Sequence, residues 1–87
     1  MKIEDFAVII QVPLRIHQRI TKDLPPWLCS FERGEVKQGC MLAGIYGDGS
    51  TPDEAIRDYA KQVKGQILIV GAATANRREY FVPESIE

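Results

Sequence analysis

The stretch Ser50-Thr51-Pro52-Asp53-Glu54 fixes one element of this chain more firmly than any other. Thr51 is an N-cap, because its hydroxyl can accept a backbone N–H that has no partner in the first helical turn. Glu54, three residues later, completes a capping box, and Pro52 suits the first helical position, where its missing N–H costs nothing. Asp53 and Glu54 also put negative charge at the positive end of the helix dipole. Ala55, Ile56, Tyr59, Ala60 and Val63 then recur at helical spacing as one apolar face. Lys61 and Lys64 lie in the last turn and Gly65 stops the element, so the pattern predicts a helix over 52–64. Gly47 and Gly49 just before it are expected to turn the chain out of a sheet.

A helix with one apolar face needs a second layer, and the remaining segments read mostly as strands. Residues 5–12, DFAVIIQV, are β-branched and aromatic and are closed by Pro13, which predicts a buried strand. In PLRIHQRITKDL, Ile16, Ile20 and Leu24 fall four apart between Pro13 and Pro25-Pro26. That spacing predicts a short amphipathic helix over 14–23, with Arg15, His17, Gln18, Arg19 and Lys22 on its outer face. WLCSFERGEVKQGCMLAGIYG reads as two strands whose turn sits at Arg33-Gly34 or at Gln38-Gly39. The second choice pairs Val36 with Met41 and gives strands 28–37 and 40–46, leaving Gly34 as a bulge or bend. QILIVGAA reads as a central strand, TANRRE as a turn, EYFVP as a last short strand, and the tail 83–87 as frayed.

The resulting order is β-α-β-β-α-β in a single domain, 1–87. It predicts an α+β two-layer sandwich of ferredoxin-like order, with one long and one short helix on one face of an antiparallel sheet. The alternative is a curved sheet carried by helix 52–64 alone, with 14–23 as a structured loop.

Composition narrows the function. A formal net charge of −1 gives no footing for general nucleic-acid binding, which rests on phosphate contacts. No apolar run approaches the roughly 20 residues that span a bilayer. The start, MKIEDFAVIIQVP, lacks a signal-peptide cleavage pattern, so a cytoplasmic location with reduced thiols is expected. Cys29 and Cys40, with His17 the single histidine, are too few for a zinc site and read as packing residues. No metal or other cofactor is expected.

GDGS, leading into a helix N-terminus, is the most phosphate-like stretch. Its length matches no phosphate-binding loop, and Asp48, Asp53 and Glu54 would repel an anion there, so it reads as a turn with a cap. His17 has no orienting acid or nucleophile that chain order identifies, and the chain is not expected to be an enzyme. Partner binding is the better use of Arg15, His17, Arg19 and Lys22 as a basic surface, with Trp27 as an anchor or equally as a core plug. Arg33, Arg77 and Arg78 form an alternative patch. Sheet edges also leave room for a homodimer.

Two resemblances add to this reading. GIYGDGSTPDEAIRDYAKQVKG, about a quarter of the chain, resembles the strand–turn–helix of HicB-type antitoxins, which implies a toxin-neutralising role. Proteins of that family usually begin with a strand pair closer together than here, and many carry a separate DNA-binding segment; neither feature matches this sequence. More broadly, MKIEDFAVII, LPPWLCSFE…VKQGCMLAGIYGDG and RREYFVP resemble small proteins encoded by bacteriophages and prophages. That resemblance implies binding and inhibition of a host protein, in some cases one belonging to an antiviral defence system. The expectation is therefore a small phage-type interaction protein, with sequestration of a small ligand such as a nucleotide signal as the alternative.

Overall fold

A computed structural model describes residues Met1–Glu87. In chain order its elements are α1 (Ile3–Ile10), β1 (Leu14–Gln18), β2 (Trp27–Phe31), β3 (Gly34–Gln38), β4 (Met41–Ala43), β5 (Gly47–Gly49), α2 (Pro52–Val63), β6 (Ile67–Val70) and β7 (Arg78–Phe81). The fold is α+β, with two helices and two antiparallel sheets. One sheet runs β1-β2-β5 and the other β4-β3-β6-β7. No helix is long and apolar enough to cross a membrane.

α2 forms as its sequence dictates. Glu54 N–H donates to Thr51 Oγ1 at 3.1 Å, and Glu54 Oε2 reaches back to accept Ser50 N–H at 2.7 Å. Ala55, Tyr59, Ala60 and Val63 are buried, and Gly65 adopts the left-handed φ of 72° just past the end.

The N-terminal segment is a helix and not the expected strand. Ile3, Phe6, Ala7 and Ile10 recur at helical spacing and are all buried, so one face of α1 satisfies the core. Gln11, in left-handed conformation at φ 58°, closes it by donating its N–H to the last carbonyls. Conversely, 14–23 is not a helix. Leu14–Gln18 is extended and pairs along its length with β2, and a loop follows.

The expected strand 28–37 is broken at Glu32-Arg33, where Arg33 takes φ 56°, and its halves join different sheets. Both regions therefore turn, each one residue away from the expected dipeptide: Glu32-Arg33 in place of Arg33-Gly34, and Gly39-Cys40 in place of Gln38-Gly39. The second is the two-residue loop Gly39-Cys40, so Val36 opposes Ala43 and Gln38 opposes Met41, a register shifted from the expected Val36–Met41 pair. The segment 40–46 contributes only β4.

Gly47 and Gly49 do not turn the chain away. They lie in β5, where a Cβ on Gly47 would overlap Ala55 O and the Tyr59 backbone, so their bareness lets α2 pack directly on the strand. Seven strands in two sheets, with two helices, replace the β-α-β-β-α-β order. Both its first strand and its first helix exchanged type, and one inferred sheet is two.

The core gathers residues from every layer. Phe31 stands edge-on to Phe6 of α1 at 6.2 Å and to Tyr59 of α2 at 5.7 Å, while Val36, Leu68 and Val70 close it from the second sheet. Phe31 N–H donates to Tyr59 Oη at 3.2 Å, and burial pushes that phenol up to about 12. Arg57 of α2 bonds Glu4 of α1. Burial raises the Glu4 carboxyl, but the bond and charge of Arg57 outweigh it and hold the group below its ordinary value. The tail does not fray: Ile86 is buried, Glu87 N–H donates to Met1 O, and Ile3 N–H donates to Glu87 O.

Candidate functional site

The backbone of β1 alternates between two partners. Glu32 N–H donates to Pro13 O and Arg19 N–H to Pro26 O, so the odd residues 13, 15, 17 and 19 face β2. Leu14, Ile16 and Gln18 must then turn their N–H and C=O groups to the open edge. β5, the other edge of this sheet, is shorter and capped: Asp48 N–H donates to Asp58 Oδ2 at 3.0 Å, and Gln62 Nε2 donates to Tyr46 O at 2.8 Å. Within GDGS, Asp48 N–H and Ser50 N–H are thus committed to the α2 side chains Asp58 and Glu54 and not to a phosphate.

The residues expected as a basic surface are placed on and after β1. Arg15 and His17 share the face opposite the helices, since Ile16 opposes Cys29, which opposes Gly47 under α2. Arg15 is bonded to Glu32 at 2.5 Å, which holds the Glu32 carboxyl below its ordinary range. Arg19 lies 3.6 Å from Asp48. Two of the four basic side chains are thus neutralised within the chain, and Trp27 is half-buried against the core. His17 and Lys22 are exposed.

What the sequence reading missed is the apolar character of this segment. Ile16, Ile20 and Leu24, expected as a buried helical stripe, are 41%, 99% and 50% exposed. The signal was present in the sequence as three aliphatic residues, but was assigned to an inward face.

The alternative patch divides. Arg77 pairs with Glu79 at 3.3 Å. Arg33 and Arg78 line one cleft of about 390 Å³ together with Gln11, Gly71, Thr74 and Asn76. Register explains the meeting: Gly34 opposes Val70, and Val70 opposes Arg78, so the three strands end side by side. Arg78 begins β7 and does not belong to the turn.

Neither thiol gathers chemistry. Cys29 is fully buried, and burial pushes it up to about 11, whereas Cys40 is exposed in the hairpin loop and is not a packing residue. No group of three His, Cys, Asp or Glu side chains comes together to hold a metal ion. No family model matches the chain, and comparisons with curated proteins and with solved structures likewise find no match.

Proposed function

We propose that this chain is a non-enzymatic interaction protein of the phage type, which binds an extended segment of a host protein along β1 and blocks it. One observation carries the reading. Residues 14–24 combine an open strand edge with three exposed aliphatic side chains, Ile16, Ile20 and Leu24. An open edge supplies main-chain hydrogen bonds to an added strand, and exposed apolar side chains supply the burial that makes such pairing stable. The exposed His17 and Lys22 in the same stretch of chain favour a partner segment bearing acidic residues. The phage resemblance points to a bacterial protein, of the antiviral defence class in particular, as the target.

The test uses Ile20→Asp/Leu24→Asp. Both positions are solvent-exposed, so the fold should survive, as circular dichroism will show. Capture of a bacterial partner by the unaltered chain and its loss with the double variant is the expected result. Equal capture by both chains refutes this surface. A unaltered chain that elutes as a dimer, and a variant that elutes as a monomer, would instead identify a second copy as the occupant.

A further inference from the structure

The cleft beside Arg33 and Arg78 lies away from Ile20 and Leu24 and asks for its own explanation. Its walls come from three distant stretches of chain, 11–13, 32–33 and 70–78, and main-chain bonds stitch them together. Glu32 N–H donates to Pro13 O at 2.9 Å, and Gly71 N–H donates to Arg33 O at 3.1 Å. The far wall is braced internally, since Thr74 Oγ1 donates to Gly71 O at 2.8 Å and accepts Asn76 N–H at 3.2 Å.

Two arginines and one acid line the cleft. Its acid, Glu32, is bonded to Arg15, while neither Arg33 nor Arg78 makes an ion pair within 4.0 Å. Arg78 instead lies over the Tyr80 ring at 5.7 Å, which leaves its guanidinium donors available. Two strand spacings separate Arg33 and Arg78, roughly 10 Å between backbones, a span that two arginine side chains can close onto one ligand.

Backbone conformation gives the second observation. Arg33 adopts φ 56°, a region that disfavours a residue with a Cβ and that glycine enters freely. A long cation stands in that position at the mouth of a polar cleft, which singles out its side chain as a candidate for binding.

We infer that this cleft binds a small phosphorylated molecule, with Arg33 and Arg78 pairing to the phosphate oxygens. Guanidinium groups match phosphate with two parallel hydrogen bonds each. Gln11 and Asn76 offer side-chain amides to the remainder of the ligand, while the Thr74 hydroxyl stays committed to bracing the wall. The volume suits a mononucleotide or a sugar phosphate.

Isothermal titration calorimetry at low salt, with inorganic phosphate, AMP and glucose 6-phosphate as separate probes, tests the inference. At least one probe should bind, and added salt should weaken it. Arg33→Gly and Arg78→Gln should each weaken that binding by about tenfold to a hundredfold, the usual loss for a hydrogen bond to a charged group. Arg33→Gly relieves the unfavourable φ, so its melting temperature should hold or rise, and lost binding then cannot be lost folding. AMP or glucose 6-phosphate binding more tightly than phosphate shows that the amide wall is used, and equal affinities assign the site to the phosphate group alone. No binding by any probe at millimolar concentration, or binding unmoved by both substitutions, overturns the inference. Ile20→Asp/Leu24→Asp should leave it unchanged, which separates this site from the β1 surface.

Discussion

Proline placed at consecutive positions of β1 provides a direct test of which backbone groups are free. The His17 N–H belongs to the ladder with Leu28, because the bonds from Glu32 to Pro13 and from Arg19 to Pro26 set the odd residues toward β2. His17→Pro removes that bond, worth about 1 kcal/mol net, and leaves the half-buried Leu28 carbonyl without its donor, a further cost of about 1–3 kcal/mol. The sum is about 2–4 kcal/mol. In a domain of this size that lowers the melting temperature by about 8–30 °C. Ile16→Pro removes an N–H that faces the open edge, where proline is tolerated, and a side chain already 41% exposed. Its cost should stay near 1 kcal/mol, a drop of about 5 °C. Ile16→Ala beside it measures the side-chain share. Thermal unfolding followed by circular dichroism reads all three. Equal losses for the two prolines, or a larger loss at Ile16, would refute the assigned edge. Ile16→Pro should also abolish strand addition by a partner while the fold persists, which connects the stability measurement to the proposed function.

Two further expectations concern the core. Gly47→Ala forces a methyl into the backbone of α2, which cannot rotate away, and should cost about 3 kcal/mol. Gly44→Ala, with nothing near its added carbon, should stay within about 0.5 kcal/mol in the same urea titration; equal effects would show that α2 does not rest on β5. Stability should also depend on pH at both ends. Burial raises Cys29 from 9.0 to about 11 and Tyr59 from 10.0 to about 12, so their contribution is full below pH 9 and is lost as pH rises through 11–12. Glu4 and Glu32 are held below 4.5, so theirs is present above pH 4.5 and is lost as pH falls below it. Urea midpoints that stay flat from pH 9 to 12 would contradict the burial of Tyr59 and Cys29. A flat profile from pH 5 to 3 would contradict the two arginine pairings.

The parts of the fold that were legible in sequence are those whose instructions are local. Thr51, Pro52 and Glu54 cap α2 without help from elsewhere, and Gly39 makes its hairpin by its own φ of 63°. The first eighteen residues were misread because two periodicities competed. Ile3, Phe6, Ala7 and Ile10 carry the helical spacing, but their β-branched and aromatic neighbours carry strand propensity, and burial of one face decided for the helix. In 14–24 the spacing of Ile16, Ile20 and Leu24 looks helical, yet all three stay exposed, and pairing with β2 holds 14–18 extended. Periodicity reports which residues could share a face; it does not report whether anything lies against that face.

The cleft was harder to see, and the dipeptide Arg33-Gly34 shows why. Sequence rules assign the positive φ of such a turn to its glycine, as they rightly do for Gly39. Here the assignment is reversed. Gly34 is needed for space, since a Cβ would sit 2.9 Å from the Phe31 Cβ, and it leaves the left-handed position to Arg33. Arg33 lines the cleft with Arg78, 45 residues away along the chain, and the β3–β6–β7 register brings the two together. Core packing at Gly34 and charge placement at Arg33 are therefore one structural event. Gly34→Ala should disturb the cleft as well as the core, whereas Arg33→Gly should remove one of the cleft's two guanidinium charges and leave the core alone.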